Sequence, residues 1–499
     1  MPQYDVGTVP DDKRVELSNQ VVGYLYTRLK NEITSINAEG IYERVIYDLE
    51  IAIYETMLFF RRYSYDIACY PEKKEEIDQR YRNVNKSSIA IKFLAEYISA
   101  MPPCGTNPIG SMQYDQIIAI CSLIIDWAYK NDLFYYKIIN APVRFLNSRR
   151  IGISQIENEQ YVKVATEAQQ NRLASMSDPR VQRYAPDSLF GEFQLKIDDA
   201  FIEENGFSFQ QFTQCVFGIL DIGDTIKSNV KRMPRIAVES EVSKKKGLPV
   251  ELVNLIINHI SLSKREDFLI PPTGFRKEDV YPWRFNRELS FNRRPIIVLN
   301  NELIWGNRQL DHMWRFSIEL IMEGKYKARS IKMRRLIGEI SDKRGMEFNT
   351  EVANKLSSFN GLIVKERVSK INGTKLVDEN NNDLGDIDVL CIIPEKHKIV
   401  VCEVKNFGFA KNPYEMNQEY QRLFVDTDKP CFMTKHKKRA AWVRQHIDDV
   451  KKQFSLSDGK WTVKPVMIVS EEIISNAYYK KGESILVYSN LTEKMIRTI

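Results

Sequence analysis

Two carboxylates and one lysine in the last quarter of the chain are spaced so that a β-hairpin could gather them around one divalent cation. Asp388 is followed fifteen residues later by Glu403, and Lys405 comes two residues after that. Carboxylate oxygens are ligands that Mg²⁺ prefers. A neighbouring ammonium group can lower the pKa of an attacking water molecule or hold it in place. These residue types predict a divalent-cation site with an ammonium group beside it, provided that the fold brings the three side chains together.

The stretch that joins these residues is typical of a β-hairpin. Residues 389–393 and 399–402 are apolar, and the polar segment between them begins with a proline. Short apolar runs bounded by turn residues predict strands. If the polar segment forms the loop, Asp388 lies directly opposite Glu403, where Cβ atoms are about 4.5–5.5 Å apart. Lys405 then points to the same face, because side chains alternate along a strand.

The hairpin is apolar on both faces apart from these charged residues. A strand pair of that kind belongs in the centre of a sheet that helices cover on both sides. Charged side chains there need a reason, since burial of an unpaired charge is very costly. The alternative without function is a hairpin whose charged residues lie at a solvated rim.

With a Gly-Asp-Ile-Asp motif that ends at Asp388, the arrangement resembles the PD-(D/E)XK, or restriction-endonuclease-like, nuclease superfamily over about residues 344–470. The motif is similar to that of the branch containing archaeal Holliday-junction resolvases and type IV restriction endonucleases. The resemblance implies that Asp388, Glu403 and the Val404 carbonyl bind Mg²⁺, for which Mn²⁺ can substitute. It also implies that Lys405 orients or deprotonates the attacking water.

Members of that superfamily usually supply another carboxylate from the helix before the first strand, and this chain departs from the pattern. Asn349 stands where relatives often have glutamate, and Glu347 and Glu351 lie two residues to either side. We predict Glu347 as a further catalytic residue and the other two as supporting residues, against the alternative of a solvated helix face. Loss of this carboxylate would favour one-metal chemistry. Gln418 and Gln421 are further supporting candidates, because the resembled branch has a glutamine on the helix after the motif lysine; solvated glutamines are the alternative.

Two basic stretches are candidates for nucleic-acid contacts. Residues 325–344 contain eight Lys or Arg and residues 433–452 contain seven. Neutralisation of phosphates dominates nucleic-acid affinity, whereas ordinary solvated helix faces are the alternative. The predicted contact residues are Lys435, Lys437, Lys438, Arg439, Arg334 and Arg335.

The rest of the chain predicts a large helical region ahead of the site. Residues 1–270 show apolar side chains at helical spacing. Residues 271–344 are expected to form a linker, a hairpin that turns at Asn300 and Asn301, and a basic helix. Residues 345–499 are expected to form a nuclease-like α/β domain with a central mixed sheet flanked by helices, among them one that Gly345 opens and one over 433–454. The predicted class is a multidomain α+β protein. Sensing, substrate choice and oligomerisation are candidate tasks for the N-terminal region.

The composition is that of a globular protein, with 43% hydrophobic and 28% charged residues. No run reaches the roughly 18 apolar residues of a membrane helix, and a signal-peptide pattern is missing. The seven cysteines lack CxxC spacing, which indicates reduced thiols. We therefore expect a cytoplasmic protein without a membrane partner. The net charge of +6 permits a polyanionic partner without requiring one.

Together these features predict a Mg²⁺-dependent DNA endonuclease, and the resemblance suggests prokaryotic restriction or anti-phage defence. Two alternatives stay open. One is an inactive nucleic-acid-binding or assembly module of the same fold. The other is a nuclease that acts on RNA, because a metal site sees only the phosphate. The expected partners are nucleic acid, further copies of this chain, and a partner protein of a defence system.

Overall fold

The structure is a computed structural model that describes residues 6–148, 150–154, 163–169, 187–475 and 484–499. The chain divides into two compact units. The first comprises Met1–Gln155 and Ala185–Glu339, and the second comprises Ile156–Tyr184 and Ile340–Ile499. Within the described ranges, no helix is both long and apolar enough to cross a membrane.

The first unit is mostly helical, as predicted for the N-terminal region. Apolar side chains at three- and four-residue steps make one buried stripe per helix, as in the helix Ile41–Cys69, where Val45, Ile46 and Leu49 are fully buried. Its helices are α1 (Arg14–Ser35), α2 (Ile41–Cys69), α3 (Lys74–Ala100), α4 (Ser111–Tyr135), α5 (Asp187–Asn205), α6 (Phe209–Thr225), α7 (Arg235–Lys246), α8 (Val250–His259) and α9 (Asn307–Met322).

Two small sheets accompany these helices. One has the strand order β1-β2-β3 and the other β4-β7-β6-β5. Asn300 and Asn301 connect β6 to β7 with φ of 48° and 63°, the left-handed conformation that a two-residue hairpin turn needs; this confirms the predicted turn. The strands are β1 (Gly7–Thr8), β2 (Val143–Phe145), β3 (Ile151–Ile153), β4 (Val230–Pro234), β5 (Ser261–Leu262), β6 (Ile296–Leu299) and β7 (Glu302–Gly306).

The second unit contains a five-stranded mixed sheet of order β14-β13-β12-β11-β8 and a two-stranded ribbon of β9 and β10. The predicted C-terminal mixed sheet is therefore confirmed. Its strands are β8 (Ile363–Val368), β9 (Lys370–Ile371), β10 (Thr374–Lys375), β11 (Ile387–Ile393), β12 (Lys398–Lys405), β13 (Thr462–Val469) and β14 (Ile485–Val487). Its described helices include α10 (Ile331–Ser357), which begins in the first unit, α11 (Pro413–Phe424), α12 (Phe432–Gln445), α13 (Ile447–Phe454) and α14 (Glu493–Thr498).

The hairpin of β11 and β12 is central in this sheet and has the predicted register. Ile393 pairs with Lys398, and the ladder continues to Val389 opposite Cys402. One face of the hairpin packs with residues of α10, and the other packs with residues of α12. Ile387 is an exception to the predicted alternation, because this first residue of β11 packs on the α12 side.

Two helix boundaries differ from the sequence prediction. Gly345 was expected to open a helix, but α10 runs through it from Ile331. A glycine in a helix interior costs only about 1 kcal/mol, and buried Ile340 and Phe348 carry the apolar stripe across it. The predicted helix 433–454 is instead two helices that meet at His446. There the imidazole stacks on Trp442 and its Nδ1 lies 2.9 Å from the Trp442 carbonyl oxygen.

Candidate active site

Asp388, Glu403 and Lys405 lie at one end of the β11–β12 hairpin, on the face that α12 covers. Asp388 and Glu403 fall one step beyond the Val389–Cys402 pair in the same register, so they face each other across the two strands. Lys405 is two residues further along β12 and shares that face. The structure thus brings the three predicted residues together.

The Lys405 ammonium lies within hydrogen-bonding distance of three oxygen atoms. Its Nζ is 2.8 Å from Glu403 Oε1, 3.2 Å from Asp388 Oδ2 and 3.1 Å from the Val404 carbonyl oxygen. Asp388 Oδ2 also accepts a hydrogen bond from the Val404 N–H at 2.8 Å. The three residues predicted as metal ligands therefore already direct oxygen atoms at a single positive charge.

Burial and charge act on Lys405 in opposite directions. Burial lowers the pKa of Lys405, but the carboxylates of Glu403 and Asp388 together outweigh that effect and raise the pKa above its ordinary value. Lys405 is therefore an ammonium ion at neutral pH. Glu403 is only 3% exposed, and its cationic partners offset the cost of burying a carboxylate.

The α12 helix supplies three further side chains to this site. The sequence predicts one of them, Arg439, as a nucleic-acid contact, and it assigns no role to the other two. Phe432, His436 and Arg439 are spaced by four and three residues, so they share one helix face. The Phe432 ring centre lies 5.3 Å from Lys405 Nζ, and His436 Nδ1 lies 3.9 Å from Glu403 Oε2. Arg439 Nη1 donates to the same Glu403 oxygen at 2.5 Å. Their helical spacing is the signal that the sequence offers for a shared face. The local sequence does not show which strand that face of α12 covers.

The predicted nucleic-acid contacts occupy different environments. Lys435, Lys437 and Lys438 are exposed on α12. Arg439, in contrast, is engaged with Glu403 and with the Leu384 carbonyl oxygen, and its side chain is only 12% exposed. In the first unit, Arg334 and Arg335 are exposed on α10.

The predicted third carboxylate is not gathered with the other two. Glu347 and Glu351 lie on α10, which packs on the sheet face opposite to Asp388. Burial raises the pKa of Glu351, and the nearby Glu347 adds to that increase. Asn349 Oδ1 is buried and has no hydrogen-bond partner among the described residues. Across the described ranges, no three or more His, Cys, Asp or Glu side chains form a group that could hold a metal ion.

The two predicted supporting glutamines are exposed on α11 and do not contact the site. Gln418 Nε2 donates to the Tyr414 hydroxyl at 2.6 Å, and the Gln421 amide lies 3.5 Å from Asn417 Oδ1. Between them, Glu419 points inward and accepts a hydrogen bond from the Ser475 hydroxyl.

The donor set around the Lys405 ammonium suits Mg²⁺. It consists of oxygen atoms only, and Mg²⁺ is commonly held by one or two carboxylates while it keeps several waters. Both hydrogen bonds to the Asp388 carboxylate go to Oδ2. Its Oδ1 therefore accepts none from the described residues. Two carboxylates and the Val404 carbonyl are a sufficient protein contribution for this ion.

Comparison with known proteins places the chain among proteins of phage defence. A family model described as "Anti-phage protein Upx-like" matches residues 14–478. The chain therefore belongs to the Upx-like anti-phage protein family, and the matched range includes residues of both units. No curated protein and no solved structure matches it.

Proposed function

We propose that this anti-phage protein is a Mg²⁺-dependent nuclease that hydrolyses phosphodiester bonds in DNA. The observation that carries the proposal is the convergence of Asp388, Glu403 and the Val404 carbonyl on the Lys405 ammonium. The resemblance of the Gly-Asp-Ile-Asp motif and the Glu-x-Lys motif to PD-(D/E)XK nucleases supports the same reaction.

In this proposal Asp388, Glu403 and the Val404 carbonyl hold Mg²⁺, and Mn²⁺ can substitute. The bound ion supplies a positive charge that polarises the scissile phosphate and stabilises the leaving oxygen. Lys405 orients the attacking water through its ammonium N–H groups, and its positive charge lowers the pKa of that water, which releases its proton to solvent. The exposed side chains of Lys435, Lys437 and Lys438 on α12 bind the phosphate backbone of the nucleic acid. With only two carboxylates gathered, one metal ion is the favoured number.

The test is cleavage of plasmid DNA, single-stranded DNA and RNA by the purified full chain with Mg²⁺, Mn²⁺ or EDTA. We expect DNA cleavage that EDTA abolishes. Asp388→Asn should reduce the rate about a thousandfold, which corresponds to about 4 kcal/mol of transition-state stabilisation. Asp386→Asn is the matched control, because this exposed aspartate belongs to the same motif and should leave the rate unchanged. Cleavage that survives Asp388→Asn contradicts the proposed site. Cleavage of RNA but not of DNA would mean that the substrate is RNA.

One observation favours a rival function, a nucleic-acid-binding or assembly module without cleavage. The charges of the site balance internally, since Lys405 and Arg439 face Asp388 and Glu403. Such a closed set of ion pairs can also serve a structural role. Plaque assays in cells that express the variants discriminate the two functions. Protection that Asp388→Asn abolishes, while Asp386→Asn keeps it, supports the nuclease. Protection that survives Asp388→Asn supports the module.

A further inference from the structure

Arg439 joins the two strands of the site from a third element, α12. Its Nε donates to the Leu384 carbonyl oxygen at 2.8 Å, immediately before the motif glycine. Its Nη1 donates to Glu403 Oε2 on β12. A planar guanidinium presents donors in a fixed fork, so one side chain sets the distance between the start of β11 and the carboxylate on β12.

The glycine of the Gly-Asp-Ile-Asp motif makes room for this contact. Gly385 has a φ of +73°, a conformation that other residues adopt with strain. A Cβ at this position would lie 3.0 Å from Arg439 Nη2. Gly385 therefore serves both the turn into β11 and the close approach of the guanidinium to the backbone.

The contact also assigns the two oxygens of Glu403 to different partners. Oε2 accepts a hydrogen bond from Arg439 Nη1 and lies 3.9 Å from His436 Nδ1, whereas Oε1 faces Lys405 Nζ. We infer that Arg439 is a positioning residue, which fastens one oxygen of Glu403 so that the other stays directed at the cation position beside Asp388. The inference rests on the proposed metal site and extends it to α12.

Without Arg439, the 3%-exposed Glu403 would lose the guanidinium as its counter-charge. The flexible Lys405 ammonium would then be its remaining ion-pair partner at 2.8 Å, and either Glu403 oxygen could turn towards it. The position that a metal ion would share with Asp388 would no longer be preorganised. Outer partners of this kind typically contribute about 10–100-fold to metal affinity.

The test is Mn²⁺ binding to the full chain in the absence of nucleic acid, measured from the paramagnetic resonance signal of free Mn²⁺. Arg439→Gln should weaken binding about 10–100-fold. Arg439→Lys keeps the charge but not the fork, so its affinity should fall in between. Gly385→Ala should shift binding in the same direction as Arg439→Gln. The matched control is Arg444→Gln, an exposed arginine of the same helix that donates to the Val463 carbonyl; its affinity should equal that of the wild type.

Thermal unfolding midpoints show that each variant is folded at the temperature of the assay. Wild-type affinity in folded Arg439→Gln overturns the inference. If the wild type itself takes up no Mn²⁺, the proposed metal centre fails, and a double-mutant cycle of Arg439→Gln and Glu403→Gln decides the contact alone. A double variant whose midpoint shift is smaller than the sum of the single shifts supports the contact. Additive shifts overturn it.

Discussion

Glu96 in the first unit and Glu403 in the second are both buried glutamates with an arginine partner, but their second oxygens have different fates. Glu96 on α3 pairs with Arg287 through Oε2, and its Oε1 accepts the Phe291 N–H at 2.7 Å. Glu403 pairs with Arg439 through Oε2, and its Oε1 faces the Lys405 ammonium. The second oxygen of Glu96 is therefore bonded to the backbone, whereas the second oxygen of Glu403 is paired with a side chain.

The difference lies in which partner can leave. A backbone N–H such as that of Phe291 is fixed by the fold, so Glu96 has no exchangeable position. The lysine ammonium is a compact charge on a flexible four-carbon stem, so another cation can take its place at Glu403. A buried ion pair therefore does not indicate function by itself, whereas a mobile second partner beside another carboxylate does.

Breaking the closed pair should have the largest effect on stability. Arg287→Met removes the guanidinium that pairs directly with the 3%-exposed Glu96 and leaves it the weaker attraction of Arg265. We expect a loss of about 3–5 kcal/mol in the free energy of unfolding. Urea titration followed by circular dichroism measures it. Arg315→Met is the control, since its ion pair with Asp311 is exposed and worth about 0.5 kcal/mol. Equal losses in both variants would show that Glu96 does not depend on Arg287.

The sequence predicted the strand half of the candidate site well. Apolar alternation has a period of two, so a shift of one residue would move every core side chain of the hairpin to the wrong face. That constraint places Asp388 opposite Glu403 without any knowledge of the rest of the fold. The turn at Asn300 and Asn301 was predictable for a similar reason, because asparagine tolerates left-handed φ.

The helix half could not be predicted from local patterns. Arg439 was grouped with its exposed lysine neighbours because its own chemistry is the same, and only packing of α12 on the sheet turns it inward. His436 gave no spacing signal of a ligand, since its partner Glu403 is thirty-three residues away. The sequence places the start of α10 too late, because Gly345 is a weak helix former although the apolar stripe continues past it.

Glu419 on α11 sharpens the comparison, because it is a buried carboxylate with a hydroxyl partner instead of a cation. Burial raises its pKa to about 7, although the Ser475 hydroxyl partly opposes the shift. The folded-state pKa lies above the unfolded value of about 4.3. The contribution of Glu419 to the free energy of unfolding is therefore fully present below pH 4 and is lost as the pH rises to 7. Glu419→Gln should remove this decline, so at pH 8 its free energy of unfolding should exceed that of the wild type by about 3–4 kcal/mol. Urea titrations at pH 4 and pH 8 measure the difference. A difference in free energy of unfolding between variant and wild type that is the same at pH 4 and at pH 8 would contradict the assignment.

Removing the Lys405 ammonium should have the smallest effect in free energy of the three changes, and it should raise the affinity for Mn²⁺ and not lower it. Lys405→Met takes away the ammonium that shares its three oxygens with any incoming metal ion. We expect Mn²⁺ to bind about tenfold more tightly, or about 1.4 kcal/mol, although cleavage is lost. Calorimetric titration measures the affinity, and the exposed Lys452→Met on α13 should match the wild type. Arg439→Gln is expected to weaken the same binding, so the two cations of the site should have opposite effects. Weaker binding in Lys405→Met would mean that the oxygens around its ammonium do not hold the metal.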